Sequence, residues 1–141
     1  MQRPVIGTTA LLILTILFAA SGCSREESGS TLATSIKNPV APTPKSLESG
    51  KRLYDRLCAE CHGVNGDGSS EMARVLAESG KIPPSNLIDD TWDLGSTDGE
   101  IFMVIRDGSG SNLAMKGLNG KPGIVDEDMW NLVNYVRSLH K

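Results

Sequence analysis

Apolar positions in this chain fall into one continuous run followed by several stripes of helical period. Val5 to Ala20 is almost wholly apolar, and the Ser24 to Lys45 stretch behind it has little apolar material and no period. From Ser46 onward the pattern changes. Leu47, Gly50, Tyr54 and Leu57 recur at three- and four-residue intervals, which predicts a helix with Ser46 as its N-cap. Ser70 to Ser79 predicts a short helix with Met72, Val75 and Leu76 turned inward. Thr97-Asp98-Gly99-Glu100 is a capping box, opening a helix through Ile101, Phe102, Val104 and Ile105 to Gly108. Asp126 caps a last helix, with Glu127 and Asp128 in the first turn, where the helix dipole favours acids. Met129, Leu132, Val133, Val136 and Leu139 form its inward stripe, flanked by Trp130 and Tyr135. Between these helices lie a glycine loop from Gly63 to Ser69, an extended segment from Pro83-Pro84 through Asn86-Leu87, and a glycine-rich loop from Gly108 to Val125. The predicted fold class is therefore all-α. Gly50 is out of place in a helix, where it costs about 1 kcal/mol relative to alanine. Its presence there calls for another helix crossing very close.

The apolar run has the marks of an export signal. Arg3 is the only charge before Arg25, and Ala19-Ala20-Ser21-Gly22 supplies small residues before Cys23. That ending resembles a bacterial lipobox, with Ala20 standing where leucine is usual. It predicts a signal peptide over 1–22 and lipidation of Cys23, which has no evident partner elsewhere in the chain. The alternative is an uncleaved anchor, since Pro4 to Ser24 lacks charge and is just long enough to span a bilayer. Either way the chain is expected on the periplasmic side, attached to a bacterial membrane. The Ser-, Thr- and Pro-rich stretch that completes 23–45 reads as a flexible linker, reaching ~25 Å as a coil and about 70 Å fully extended. The remaining 46–141 makes one domain.

Charge narrows the choice of partner. The chain has 14 Lys and Arg against 17 Asp and Glu. Loss of residues 1–22 removes one base and no acid, leaving 13 against 17, a net charge of −4. That balance argues against nucleic acid, which requires a basic face.

The chemistry is concentrated in Cys58-Ala59-Glu60-Cys61-His62. Two thiols three positions apart with a histidine directly after the second form the attachment pattern of a c-type haem. Each cysteine adds across a vinyl group on one porphyrin edge, and the adjacent imidazole turns onto the iron. Other readings fit the motif less well. Zinc requires four ligands, and beyond these three only Cys23 and His140 remain, one at each end. A thioredoxin-type dithiol sits at a strand-to-helix junction, and nothing before Cys58 reads as a strand. A structural disulfide is the third alternative.

Together the CAECH motif, the helix before it and a methionine-bearing loop before a C-terminal helix resemble the class I cytochrome c family, over about Ser46 to Lys141. The resemblance implies a small cytochrome c fold wrapped around one haem. The first and last helices should cross at Gly50 and Tyr54 on one side and at Leu132 and Tyr135 on the other. It implies His62 and Met115 as the iron ligands, although Lys116 follows Met115 where relatives often carry proline. Met72, Met103 and Met129 read as core residues, and His140 as solvent-exposed. The family fixes the ligand histidine through a proline carbonyl before an Asn-Leu pair. Pro84-Ser85-Asn86-Leu87 is similar with one extra residue, so Pro83 or Pro84 is the expected acceptor, Pro84 preferred, with Leu87 packed on the haem face. Trp92 belongs either near a propionate or in the core.

The function expected from these readings is single-electron transfer outside the cytoplasm by a monomeric, membrane-tethered monohaem cytochrome c, with no substrate chemistry and redox proteins as partners. The alternatives are a haem subunit of a larger dehydrogenase or oxidase and, if the sixth position is open, a haem sensor or small peroxidase.

Overall fold

The computed structural model describes residues 32–110 and 115–140; the expected signal peptide, Cys23 and residues 111–114 lie outside them. The helices are α1 (Pro44–Leu57), α2 (Ala59–His62), α3 (Glu71–Glu78), α4 (Asp98–Asp107) and α5 (Asp126–Leu139). A helical turn at 32–35 precedes them. No strand occurs among the described residues, and an isolated antiparallel bridge pairs Gly108 with Lys116. The all-α expectation holds. No helix among the described residues is long and apolar enough to cross a membrane.

The fold is organised by the crossing of α1 on α5. A Cβ on Gly50 would lie 2.1 Å from the Asn131 carbonyl oxygen and 2.7 Å from Tyr135 Cβ. Only a residue without a side chain lets the two backbones meet there. One turn further on, the Tyr54 and Tyr135 rings lie 5.2 Å apart, and Tyr54, Leu132 and Val133 are fully buried. The α4 helix packs on the other side of α5, where Phe102 stacks on Trp130 at 3.9 Å and Arg137 pairs with Asp98 at 2.9 Å. The Thr97–Glu100 capping box forms as predicted.

Several local expectations are corrected. The N-cap of α1 is Thr43, whose hydroxyl accepts from the Ser46 N–H at 3.2 Å, with Pro44 at the first helical position. Ser46 is buried instead, and its hydroxyl donates to Asn131 Oδ1 at 2.6 Å. The N-cap of α5 is Val125, whose N–H is taken by Asp128 at 3.0 Å, so Asp126 is the first helical residue. On α3 the buried residue is Ala73, while Val75 is 44% exposed. The helix is short and only one edge of it meets the domain. Met129 is buried, and Met72 and Met103 are half-buried.

The largest departure concerns the expected linker. Its part from 33 to 40 is packed against the domain. Ala33 is buried, Ile36 and Val40 lie on the core, and a Cβ on Gly99 would come within 2.0 Å of the Ala33 carbonyl oxygen. Asn38 donates to Asn134 Oδ1 at 2.8 Å, and Asn134 Nδ2 donates to the Val40 carbonyl and the Ser46 hydroxyl, each at 2.9 Å. A segment without helical period is held here by side-chain amides rather than by an apolar stripe.

Gly50→Ala is expected to destabilise the haem-loaded protein by about 3 kcal/mol, at the top of the range for overpacking, because the obstructing atom is a backbone carbonyl. Denaturant unfolding of the holo-protein checks this, and a loss below ~1 kcal/mol would show that the helices can separate freely.

Candidate functional site

The CAECH motif occupies the end of α1 and the single turn of α2. Cys58 caps α1, its N–H bonded to the Tyr54 carbonyl at 2.8 Å, and the His62 N–H reaches the Cys58 carbonyl at 2.9 Å. This helical winding brings the thiols and the imidazole to one side. Gly63, at φ +80°, then ends the turn, and its carbonyl accepts from the buried Tyr54 hydroxyl at 2.7 Å. The tyrosine that marks the helix crossing thereby also fixes the end of the motif.

Cys58, Cys61 and His62 form one wall of a cavity of about 800 Å³. Leu132 and Val136 of α5, with Ile101, Val104 and Ile105 of α4, supply apolar walls, and Pro84, Leu87, Trp92 and Met115 contribute from the loops. The volume lies within the range of about 300–1,000 Å³ that accepts an organic cofactor. Every predicted site residue among those described borders this one cavity.

His62 is held through its second nitrogen. Its Nδ1 lies 3.1 Å from the Ser85 carbonyl oxygen, which makes Nδ1 the donor and leaves Nε2 as a free lone pair. Burial lowers the imidazole pKa, opposed by the Ser85 bond, and so favours the neutral form that binds metal. The expected acceptor, Pro84, is thereby corrected to Ser85. The Leu87 N–H bonds the Gly66 carbonyl at 2.6 Å and Asn86 Oδ1 accepts from the Ile88 N–H at 2.9 Å. This registers the segment so that the residue directly before the Asn86-Leu87 pair faces the imidazole. The Pro84 carbonyl turns toward Gly68.

The thiols are unpaired. Burial, with the neighbouring Cys61, pushes Cys58 up to about 12. Burial, followed by Glu60, raises Cys61 as well. Thiol–disulfide enzymes depend on the opposite shift, toward a stabilised thiolate. The environment therefore opposes the dithiol reading.

Trp92 borders the cavity and also packs outward, its ring 5.9 Å from that of His140 and 5.1 Å from the Arg137 guanidinium carbon. His140 is half-buried rather than solvent-exposed, with Nε2 3.1 Å from an Asp90 carboxylate oxygen. A terminal position gave no signal of this contact, because its partners belong to the loop after Leu87. One polar group at the cavity also escaped sequence reasoning: the Ser85 carbonyl, since any residue carries one.

Two thiols, an imidazole fixed by its other nitrogen, and a thioether thus face one apolar cavity, and this donor set fits a covalently held haem. Comparison with known proteins agrees. The cytochrome c family pattern matches residues 47–140. The chain is 32% identical over 101 residues to a cbb3-type cytochrome c oxidase subunit CcoP of Rubrivivax gelatinosus, covering 71% of this chain and 28% of that protein. It is 24% identical over 91 residues to cytochrome c-554(547) of Halothiobacillus neapolitanus, covering 64% of this chain and 93% of the relative. The chain spans about a third or less of the CcoP relatives it matches. Among solved structures, a reducing HAO-like protein complex of Kuenenia stuttgartiensis aligns with a TM-score of 0.61 at 23% identity, over 75% of this chain and 50% of that one. Cytochrome cL of Hyphomicrobium denitrificans aligns with a TM-score of 0.56 at 22% identity, over 86% and 63% of the two chains. These structural matches establish a shared fold. The chain belongs to the cytochrome c family, as a class I, monohaem c-type cytochrome with covalently bound haem c.

With only two Trp, two Tyr and two Phe in the chain, the haem supplies apolar contact that the side chains around the cavity do not make with one another. The Cys58→Ala/Cys61→Ala chain produced without haem is therefore expected to lack a cooperative thermal transition by circular dichroism. A melt matching that of the holo-protein would show that the helices are self-sufficient.

Proposed function

We propose that this protein is an exported, membrane-tethered carrier of single electrons, in which Cys58 and Cys61 would hold the haem by thioether bonds and His62 and Met115 would hold its iron. The observation that carries the reading is the convergence of these four side chains on one apolar cavity, with His62 Nδ1 already committed to the Ser85 carbonyl. When bound, the haem supplies a one-electron Fe(III)/Fe(II) couple, and thioether ligation raises its potential relative to a second imidazole. The chain's own residues do the rest. Ser85 sets the orientation and tautomer of His62. Leu87, Ile105, Leu132 and Val136 line the cavity with apolar surface and would exclude water from a bound haem. Cys58 and Cys61 hold the edge by which electrons enter and leave. Pro84 contributes to the wall beside His62, and Trp92 closes the cavity beside His140.

Membrane attachment rests on the sequence before residue 24. The charged start, apolar run and small residues ahead of Cys23 support cleavage and lipidation there, on the periplasmic side of a bacterial membrane. A monomer that meets redox-protein partners fits this arrangement. A second reading is favoured by one specific observation, the 32% identity to an oxidase subunit across 71% of the chain. On that reading the domain is a docked haem subunit of a larger oxidase or dehydrogenase rather than a mobile carrier.

Two measurements test the proposal. The oxidised parent, made in a host with haem c maturation, is expected to show the weak near-red band of methionine on ferric haem, and Met115→Ala to lose it. If the parent lacks the band and binds carbon monoxide readily when reduced, the sensor or peroxidase reading takes over. For the anchor, Cys23→Ala is expected to shift the protein out of the membrane fraction or leave an uncleaved precursor. Unchanged fractionation at the mature size would remove lipidation from the account.

A further inference from the structure

The dipeptide Asn-Gly occurs twice in the chain, in Val64-Asn65-Gly66 and in Leu118-Asn119-Gly120. Each follows an apolar residue, so the sequence does not tell the two apart. The fold does. An asparagine before a glycine can modify itself, because the backbone nitrogen of the glycine can attack the side-chain amide carbon with no Cβ in the way. The attack requires a free nitrogen and a backbone that can turn toward the side chain.

Gly66 offers neither. Its N–H is bonded to the Gly63 carbonyl at 3.1 Å, and its own carbonyl accepts from the Leu87 N–H at 2.6 Å. A Cβ placed on it would lie 2.8 Å from Leu139 Cδ1 and 3.5 Å from the Tyr54 hydroxyl, so core atoms enclose it. Gly120 differs on each count. Its N–H makes no backbone hydrogen bond among the described residues, and a Cβ placed on it would meet nothing within 4 Å. Asn119 and Gly120 are the exposed central residues of a turn, closed by the Lys121 N–H on the Leu118 carbonyl at 3.1 Å. The turn is fastened to α4 ahead of the reacting pair. The Leu118 N–H bonds the Ile105 carbonyl at 3.0 Å, and the Asn119 N–H bonds the Arg106 carbonyl at 2.9 Å.

We propose that Asn119 is a site of spontaneous deamidation. The Gly120 nitrogen loses its proton and bonds to Asn119 Cγ, the Cγ–Nδ2 bond breaks, and the amide nitrogen takes up a proton and leaves as ammonia. Water then opens the succinimide at one of its two carbonyls, leaving aspartate or isoaspartate. Water is the sole co-reactant, and nothing is oxidised or reduced. The product carries one more negative charge, within the turn from Leu118 to Lys121, both of which border the cavity. Isoaspartate also adds a carbon to the main chain of the turn that ties the Met115 loop to α4. The protein thus divides with age into forms of different charge at the cavity rim. The inference is independent of which side chains hold the iron.

The test keeps the haem-loaded full chain in warm, mildly alkaline buffer, folded or in denaturant, and follows its peptides by mass spectrometry. Isoaspartate is probed with protein isoaspartyl methyltransferase and a labelled methyl donor. In the folded protein the Asn119 peptide is expected to gain one mass unit about tenfold faster than the Asn65 peptide, the factor that opening one hydrogen bond supplies. In denaturant the two rates should draw together. Asn119→Gln, whose longer side chain closes the ring poorly, should lose the methyl label. An Asn119 peptide that stays unchanged in the folded protein overturns the proposal, as does an Asn65 peptide that converts equally fast. A difference that persists undiminished in denaturant overturns it too, since that marks an effect of sequence and not of fold. A methyl label retained by Asn119→Gln belongs to another residue and likewise overturns it.

Discussion

The contact between Gly50 and the Asn131 carbonyl sets the distance between α1 and α5, and the site depends on that distance. With the backbones touching, Tyr54 fits beneath Tyr135 and reaches the Gly63 carbonyl, which fixes the turn carrying Cys58, Cys61 and His62. The same crossing presents Leu132 and Val136 to the opposite side, as a wall of the cavity. One missing side chain therefore determines both the helix pair and the place where thiols and imidazole meet the apolar wall. The cost of glycine in a helix, about 1 kcal/mol, is small beside the burial it permits.

Around this crossing, polar groups do work that apolar stripes cannot. Ser46, Asn131, Asn134 and Asn38 form a connected, largely buried chain of hydrogen bonds from α1 through α5 to the segment before Thr43. Such a network is favourable only when its members are satisfied, so it specifies one register of the two helices rather than adding general adhesion. It also moves the domain boundary. The packed unit begins at least as early as Ala33, which leaves a shorter stretch between Cys23 and the domain than a linker to Lys45 would provide.

The site uses the same division of labour. Apolar side chains from α4 and α5 define the volume, and backbone hydrogen bonds register the loops that border it. The Ser85 carbonyl holds His62, and the α4-anchored loop carries Met115 opposite Ser109. In both places the residue bordering the cavity is carried or held by a loop registered through backbone hydrogen bonds.

The sequence by itself determined the chemistry and the helical class. CAECH is a local pattern whose spacing is dictated by the porphyrin edge, so it can be read without the fold. Gly50 pointed to a close crossing because its cost is local, and Thr97–Glu100 marked a helix start because both halves of the cap lie within four residues. The tertiary structure decided what depends on residues far apart. The acceptor for His62 moved from Pro84 to Ser85, because register is set by Gly66 and Asn86 and not by the proline count. Segment 33–40 became part of the domain because Asn134, about a hundred positions away, supplies its amide. His140 is half-buried because the loop bearing Asp90 and Trp92 folds against the end of α5. Periodicity reports which face of a helix is apolar. It carries no information about which polar atom, brought from elsewhere in the chain, will meet that face.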